Sequence, residues 1–232
     1  MNGLNPSDVG ESLQWPMPQP WPLHRTPLRL GVMASGEGSN FEALVEATRG
    51  GPLQASVELL VVNRETCGAS GRAQRLGVPC RWIDHRAYPT REDLDEALIE
   101  AFREAQVELV VMAGWMRIVT PRLVDAFPDR LLNIHPSLLP SFRGLDAVGQ
   151  ALASGVRISG CTVHLVRPEV DSGPILAQAA VPVHAEDDAH TLAARIHRQE
   201  HRILPLAVAL AAQRLALSAG EPAAMGRDGA QG

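Results

Sequence analysis

Asn133 and His135 stand two residues apart in Leu131-Leu-Asn-Ile-His-Pro-Ser-Leu-Leu-Pro140. Alternate residues of a strand share a face, so in a strand both side chains point the same way. An imidazole exchanges protons near neutral pH, and an amide NH2 beside it stabilises an oxyanion. Together they suit attack of an amine on a carbonyl carbon. A satisfied core histidine next to a turn-forming asparagine is the plainer alternative. A polar pair has no place in a buried apolar strand, however, and two prolines stiffen its exit, so a functional role is the better reading. A carboxylate comes from Val170-Asp-Ser-Gly-Pro174. Asp171 beside His135 would favour the protonated ring. Asp-Ser-Gly is equally ordinary turn chemistry, and chain order alone does not bring the two together.

Ser35-Gly-Glu-Gly-Ser-Asn40 leads from an apolar run straight into a helical pattern. Its glycines allow close backbone approach, and the free N–H groups of a helix start, with Ser39 and Asn40, suit a phosphate. A tight strand–helix turn explains the same residues. Phe41 replaces the third glycine of a dinucleotide loop, and no GK[ST] follows, so both of those motifs fail. His197-Arg-Gln-Glu-His201 matches the inverted zinc-peptidase pattern HxxEH. The downstream ligand is missing, since only Glu221 follows, and no metal is expected.

These residues need elements to hold them. Leu28–Ala34, Ser56–Asn63, Cys80–Asp84, Glu108–Ala113 and Leu131–Ile134 read as strands. Helical patterns lie between them, at Phe41–Arg49, at Ala69–Leu76, from Thr90 (a capping residue with Asp93 three positions on) and after Thr120-Pro121. A helix, two strands (Ile158–Val166 and Ile175–Val183) and a long helix from about Asp188 follow. The alternation predicts one α/β domain, residues 28–217, with a mainly parallel twisted sheet and helices on both faces. Ligands of such sheets sit at the carboxyl ends of the strands. Residues 1–27 read as a separate arm with no strand or helix period, holding five prolines and two tryptophans between Trp15 and Pro27. Residues 218–232 read as a flexible tail rich in Ala and Gly.

With 45% hydrophobic residues among 232, the chain fills one substantial core. A net charge of -5 with no basic run gives no electrostatic footprint for nucleic acid. Three scattered cysteines, Cys67, Cys80 and Cys161, suggest a reducing compartment, with neither a disulfide framework nor a zinc knuckle. No apolar run approaches a membrane span, and the N-terminus lacks signal-peptide character. A cytoplasmic protein, monomer or homodimer, is expected.

In order and spacing, Gly38-Ser39-Asn40, Ala113-Gly-Trp-Met-Arg-Ile118, Asn133-Ile-His-Pro-Ser-Leu-Leu-Pro140, Asp171-Ser-Gly-Pro174 and Gln199-Glu-His201 resemble the phosphoribosylglycinamide formyltransferases, folate-dependent enzymes of purine biosynthesis. The likeness runs from about Leu28 to Leu217. It implies that Gly38, Ser39 and Asn40 hold the phosphate of glycinamide ribotide and that Glu200 meets its ribose hydroxyls. The residues themselves lend Glu200 some support, since Leu192, Ile196, Glu200 and Leu204 share one helix face. The resemblance further implies that 10-formyltetrahydrofolate, the co-substrate, lies against Met116, Arg117, Ile118, Val119, Asn133 and the Arg167-Pro168-Glu169-Val170-Asp171 loop. Arg91 would reach its glutamate carboxylate. Asn133, His135 and Asp171 would carry catalysis without a metal. Asp146 departs from the family, where histidine is common, and Phe142-Arg143-Gly144 leans towards the branch that formylates tRNA. That branch would carry a further C-terminal domain, and the related hydrolases an N-terminal regulatory one.

Overall fold

In the computed structural model, residues 13–16, 21 and 27–218 are described. Among these residues eight strands form one sheet: β1 (Leu13–Trp15), β2 (Leu28–Ala34), β3 (Ala55–Val62), β4 (Cys80–Trp82), β5 (Leu109–Met112), β6 (Leu131–His135), β7 (Ile158–Leu165) and β8 (Ile175–Pro182). Among the described residues six α-helices accompany them: α1 (Ser39–Arg49), α2 (Gly68–Leu76), α3 (Arg91–Glu104), α4 (Pro121–Ala126), α5 (Ala147–Ala153) and α6 (Ala189–Ser218). The strand order is β1-β8-β7-β6-β5-β2-β3-β4. Strands β4, β3, β2, β5 and β6 run parallel, whereas β7, β8 and β1 join by antiparallel pairing. The chain enters the parallel half at β2, builds outward to β4, then returns to β5 on the other side of β2. That reversal opens the crevice between β2 and β5 at their carboxyl ends.

Alternation along the strands divides the core. Leu30, Val32 and Ala34 of β2, with Leu109 and Val111 of β5, pack towards α1 and α6. Met33, Val110 and Met112 face α3 and α4. On that second face, a Cβ on Gly31 would stand 2.6 Å from the Phe102 ring, so glycine makes room for the aromatic. Phe102 in turn meets Phe127 edge-on, with ring centroids 6.1 Å apart. Helix α3 is capped as its sequence predicts, the Thr90 side chain accepting from the Asp93 N–H.

One difference from the sequence reading lies in the arm. Leu13–Trp15 forms an edge strand registered on Gln178–Ala180, although its residues carry no strand period. Backbone pairing holds this piece, and Trp15 stays 75% exposed. Trp21, by contrast, packs against the core. The rest of the arm, and the tail from residue 219 on, lie outside the described residues. No helix of the described chain is long and apolar enough to cross a membrane.

Candidate active site

Strand β6 turns Leu132 and Ile134 into the α1–α6 core and leaves Asn133 and His135 on the opposite face. Helices α3 and α4 cover only the earlier part of that face, so the pair opens into a cleft of about 660 Å3. Strand β7 pairs antiparallel with β6 and sets His164 directly across from Asn133. The loop between β7 and β8 folds back over the pair. Asp171 sits there in a left-handed conformation, φ 50°, which a short polar side chain tolerates.

The four side chains form one network. Asp171 Oδ2 lies 3.4 Å from His135 Nδ1 and accepts the Gly144 N–H at 2.8 Å. Its other oxygen lies 3.3 Å from the Asn133 NH2 and 3.5 Å from His164 Nε2. The Asn133 NH2 also meets His164 Nε2 at 3.2 Å. His135 Nε2 is 2.8 Å from the Phe142 carbonyl oxygen, and His164 Nδ1 is 2.9 Å from the Leu165 carbonyl. A carbonyl oxygen only accepts, so each of those nitrogens carries a proton. Burial alone would push the Asp171 carboxyl up. The His164 hydrogen bond, the Gly144 N–H and the charges of His135 and His164 outweigh it and hold Asp171 below the usual carboxylate range.

The other end of the cleft is built from α1 and α6. Gly38 adopts φ 76°, and a Cβ there would stand 2.6 Å from Ala69 Cα and Cβ, so both conformation and space require glycine. It caps α1, leaving the Ser39 and Asn40 N–H groups at a helix start. The loop is braced on α2 by the Ala69 N–H on the Gly36 carbonyl and by Arg72 Nε on the Glu37 carbonyl at 2.7 Å. Glu200 lies in the buried stripe of α6 with Leu192, Ile196 and Leu204, and is 3% exposed. The Asn40 NH2 donates to its Oε2 at 2.7 Å, and His197 Nε2 is 4.0 Å away. Burial pushes the Glu200 carboxyl above its ordinary range, against the pull of Asn40, His197 and His135. Glu200 is thus engaged with Asn40. Among the described residues, no group of three or more His, Cys, Asp or Glu side chains is arranged to hold a metal ion.

The folate wall expected from the resemblance borders the same cleft. Arg91, Met116, Arg117, Ile118, Val119, Arg167, Pro168 and Val170 line it together with Asn40, Asn133, His135, Asp171 and Glu200. Met116 and Ile118 are 63% and 52% exposed, an apolar surface flanked by three guanidinium groups. Of the expected phosphate residues only Asn40 lines the cleft, not Gly38 or Ser39; nor does Glu169, whose exposed carboxylate faces Arg143 at 3.7 Å. Sequence reasoning passed over His164. Its signal was a histidine alternating with Thr162 inside the apolar run Ile158–Val166, but the register that brings it to Asn133 is not legible in the chain. Asp146 has a visible local duty, its side chain accepting the Gly149 N–H at 3.2 Å as the cap of α5.

Comparison with known proteins identifies the family. The formyl transferase family model matches residues 28–208. The phosphoribosylglycinamide formyltransferase of Mycobacterium tuberculosis is 43% identical over 201 residues, 87% of this chain and 93% of that protein. The human trifunctional purine biosynthetic protein adenosine-3 is 41% identical over 184 residues, 79% of this chain, but the chain spans only 18% of that longer protein's length. The crystal structure of glycinamide ribonucleotide transformylase 1 from Symbiobacterium toebii superposes with a TM-score of 0.80 at 45% identity, covering 81% of this chain and 89% of that one. By fold, by the coverage of its relatives and by the matched family model, the chain belongs to the formyl transferase family, in its phosphoribosylglycinamide formyltransferase branch.

Proposed function

We propose that this chain transfers the formyl group of 10-formyltetrahydrofolate to the amine of 5-phosphoribosylglycinamide, giving formylglycinamide ribotide and tetrahydrofolate. The observation that carries the reading is the buried Asn133–His135–Asp171 constellation facing a cleft with a helix start at one end and an apolar, arginine-flanked wall at the other. The ribotide phosphate meets the α1 start at Gly38, Ser39 and Asn40, where N–H groups and the helix dipole favour an anion. Glu200 accepts from the ribose hydroxyls. The folate lies on Met116–Val119 and the 167–171 loop, with Arg91 on its glutamate carboxylate. The folate supplies an activated formyl group.

The amine lone pair attacks the formyl carbon, a C–N bond forms, and the carbonyl pair moves onto oxygen. Asn133 and protonated His135 stabilise that oxyanion. The contacts of the Asn133 NH2, 3.2 and 3.3 Å, are long enough for a developing charge to compete for it. Asp171, 3.4 Å from His135 Nδ1, helps relay the amine proton through water to N10 of the folate, which leaves as the C–N10 bond breaks. The reaction runs in the cytoplasm. The test is absorbance-monitored deformylation of 10-formyl-5-deazafolate with and without glycinamide ribotide. Ribotide-dependent turnover supports the reading. Deformylation that ignores the ribotide would assign a hydrolase instead.

A further inference from the structure

The stretch from Ala113 to Thr120 joins β5 to α4 and forms the exposed apolar wall of the cleft; its first two residues pair with the end of β2, the Ala113 N–H on the Met33 carbonyl and the Ser35 N–H on the Gly114 carbonyl, but residues 115–120 belong to no strand or helix. Two buried side chains from other elements pin it. The Met116 N–H donates to Ser35 Oγ at 2.9 Å, and Ser35, just past β2, is 2% exposed. The Thr120 N–H donates to Asp95 Oδ2 at 2.6 Å, and Asp95, on α3, is 1% exposed. Between the two pins lie Arg117, Ile118 and Val119, all on the cleft. Asp95 also sits one helical turn after Arg91, so a single helix carries the pin and a guanidinium that lines the cleft.

Asp95 is costly to the fold. Burial pushes its carboxyl up, with a smaller push from Glu92, and only the hydrogen bonds from Thr120 pull it back. A buried carboxylate of that kind is weak evidence for stability, and local rules of this sort are broken most often at functional sites. We propose that Asp95 is a positioning residue for the formyl folate: with Ser35 it holds residues 116–119 as a preset wall and keeps that wall in register with Arg91, while touching neither substrate. The proposal rests on the functional reading above.

The decisive readouts are calorimetric Kd for the 5-deaza formyl folate analogue and the KM of each substrate, measured on the whole chain. Asp95→Ala is expected to raise the Kd and KM for the folate about tenfold, the loss typical of one hydrogen bond to a charged group. The ribotide KM stays put, and kcat at saturating folate falls little. Asp95→Asn recovers most of the affinity, because its amide oxygen still accepts the Thr120 N–H. Ser35→Ala shifts folate affinity in the same direction and keeps the question open to test if Asp95→Ala does not fold. A purely structural Asp95 would instead lower the melting temperature and leave the folate Kd of the folded fraction unchanged, which overturns the proposal. So would equal rises in both substrates' KM. If the wild type binds the analogue but shows no ribotide-dependent turnover, the functional reading fails while the Kd comparison still decides this inference. Wild type that binds no folate overturns both.

Discussion

Two carboxylates mark the two ends of one cleft, and they are held in opposite ways. Asp171 is surrounded by donors: the Gly144 N–H, the Asn133 amide and two histidines, which hold its carboxyl low despite burial. Glu200 has a close hydrogen bond from Asn40 and a more distant histidine, and burial pushes it high. The first end is electrostatically complete before any ligand arrives. The second is short of donors, as expected of a group that awaits hydroxyls from outside. The contrast supports the reading proposed above, with chemistry at one end and recognition at the other.

Variants at the two ends should therefore fail differently. The largest effects belong to the Asp171 end. His135→Ala or Asp171→Asn should lower kcat by roughly a thousandfold or more, because general-acid and oxyanion contributions are lost together. Steady-state kinetics on folded protein would check this; a change confined to KM would contradict the assignment. Glu200→Gln should raise the ribotide KM by about tenfold while raising the melting temperature of the free protein at neutral pH, since it removes a carboxyl whose charged form burial disfavours. Thermal melting beside kinetics reads both, and a loss of stability would break the contrast.

The pH dependence of stability sharpens the same point. Asp171 has a folded pKa below its ordinary 3.8, so its contribution is present above that value and disappears as pH falls through the folded one. Glu200 is raised above 4.5, so its contribution is fullest below that value and fades as pH climbs through the folded one. Urea unfolding of Asp171→Asn should flatten the acid side of the profile, and Glu200→Gln should flatten the rise in destabilisation above it. The smallest effect is expected from Asp146→Ala, which removes the α5 cap at a cost of about 1 kcal/mol and leaves the folate and ribotide KM nearly unchanged.

The Asn133–His135 pair was legible because a strand's two-residue period puts both side chains on one face whatever the rest of the fold does. Asp171 was legible as a carboxylate that could stand beside His135 and equally as a turn residue, since its approach depends on how β7 and β8 pair and on a left-handed backbone that no pattern announces. The same pairing hid His164. The alternation of strands and helices foretold the parallel half of the sheet. The antiparallel edge ending in β1 was not foretold, because Leu13–Trp15 becomes a strand through the backbone groups of β8 that it meets, not through its own side chains. Glu200 showed itself as a charge on an apolar helical stripe, but its partner Asn40 lies 160 positions away.

The division of labour is tested most directly by titrating glycinamide ribotide alone into Asp171→Asn and Glu200→Gln by calorimetry. The account predicts that Asp171→Asn binds the ribotide as the wild type does, whereas Glu200→Gln binds it about tenfold more weakly. Weakened binding in Asp171→Asn, with Glu200→Gln unaffected, would contradict it.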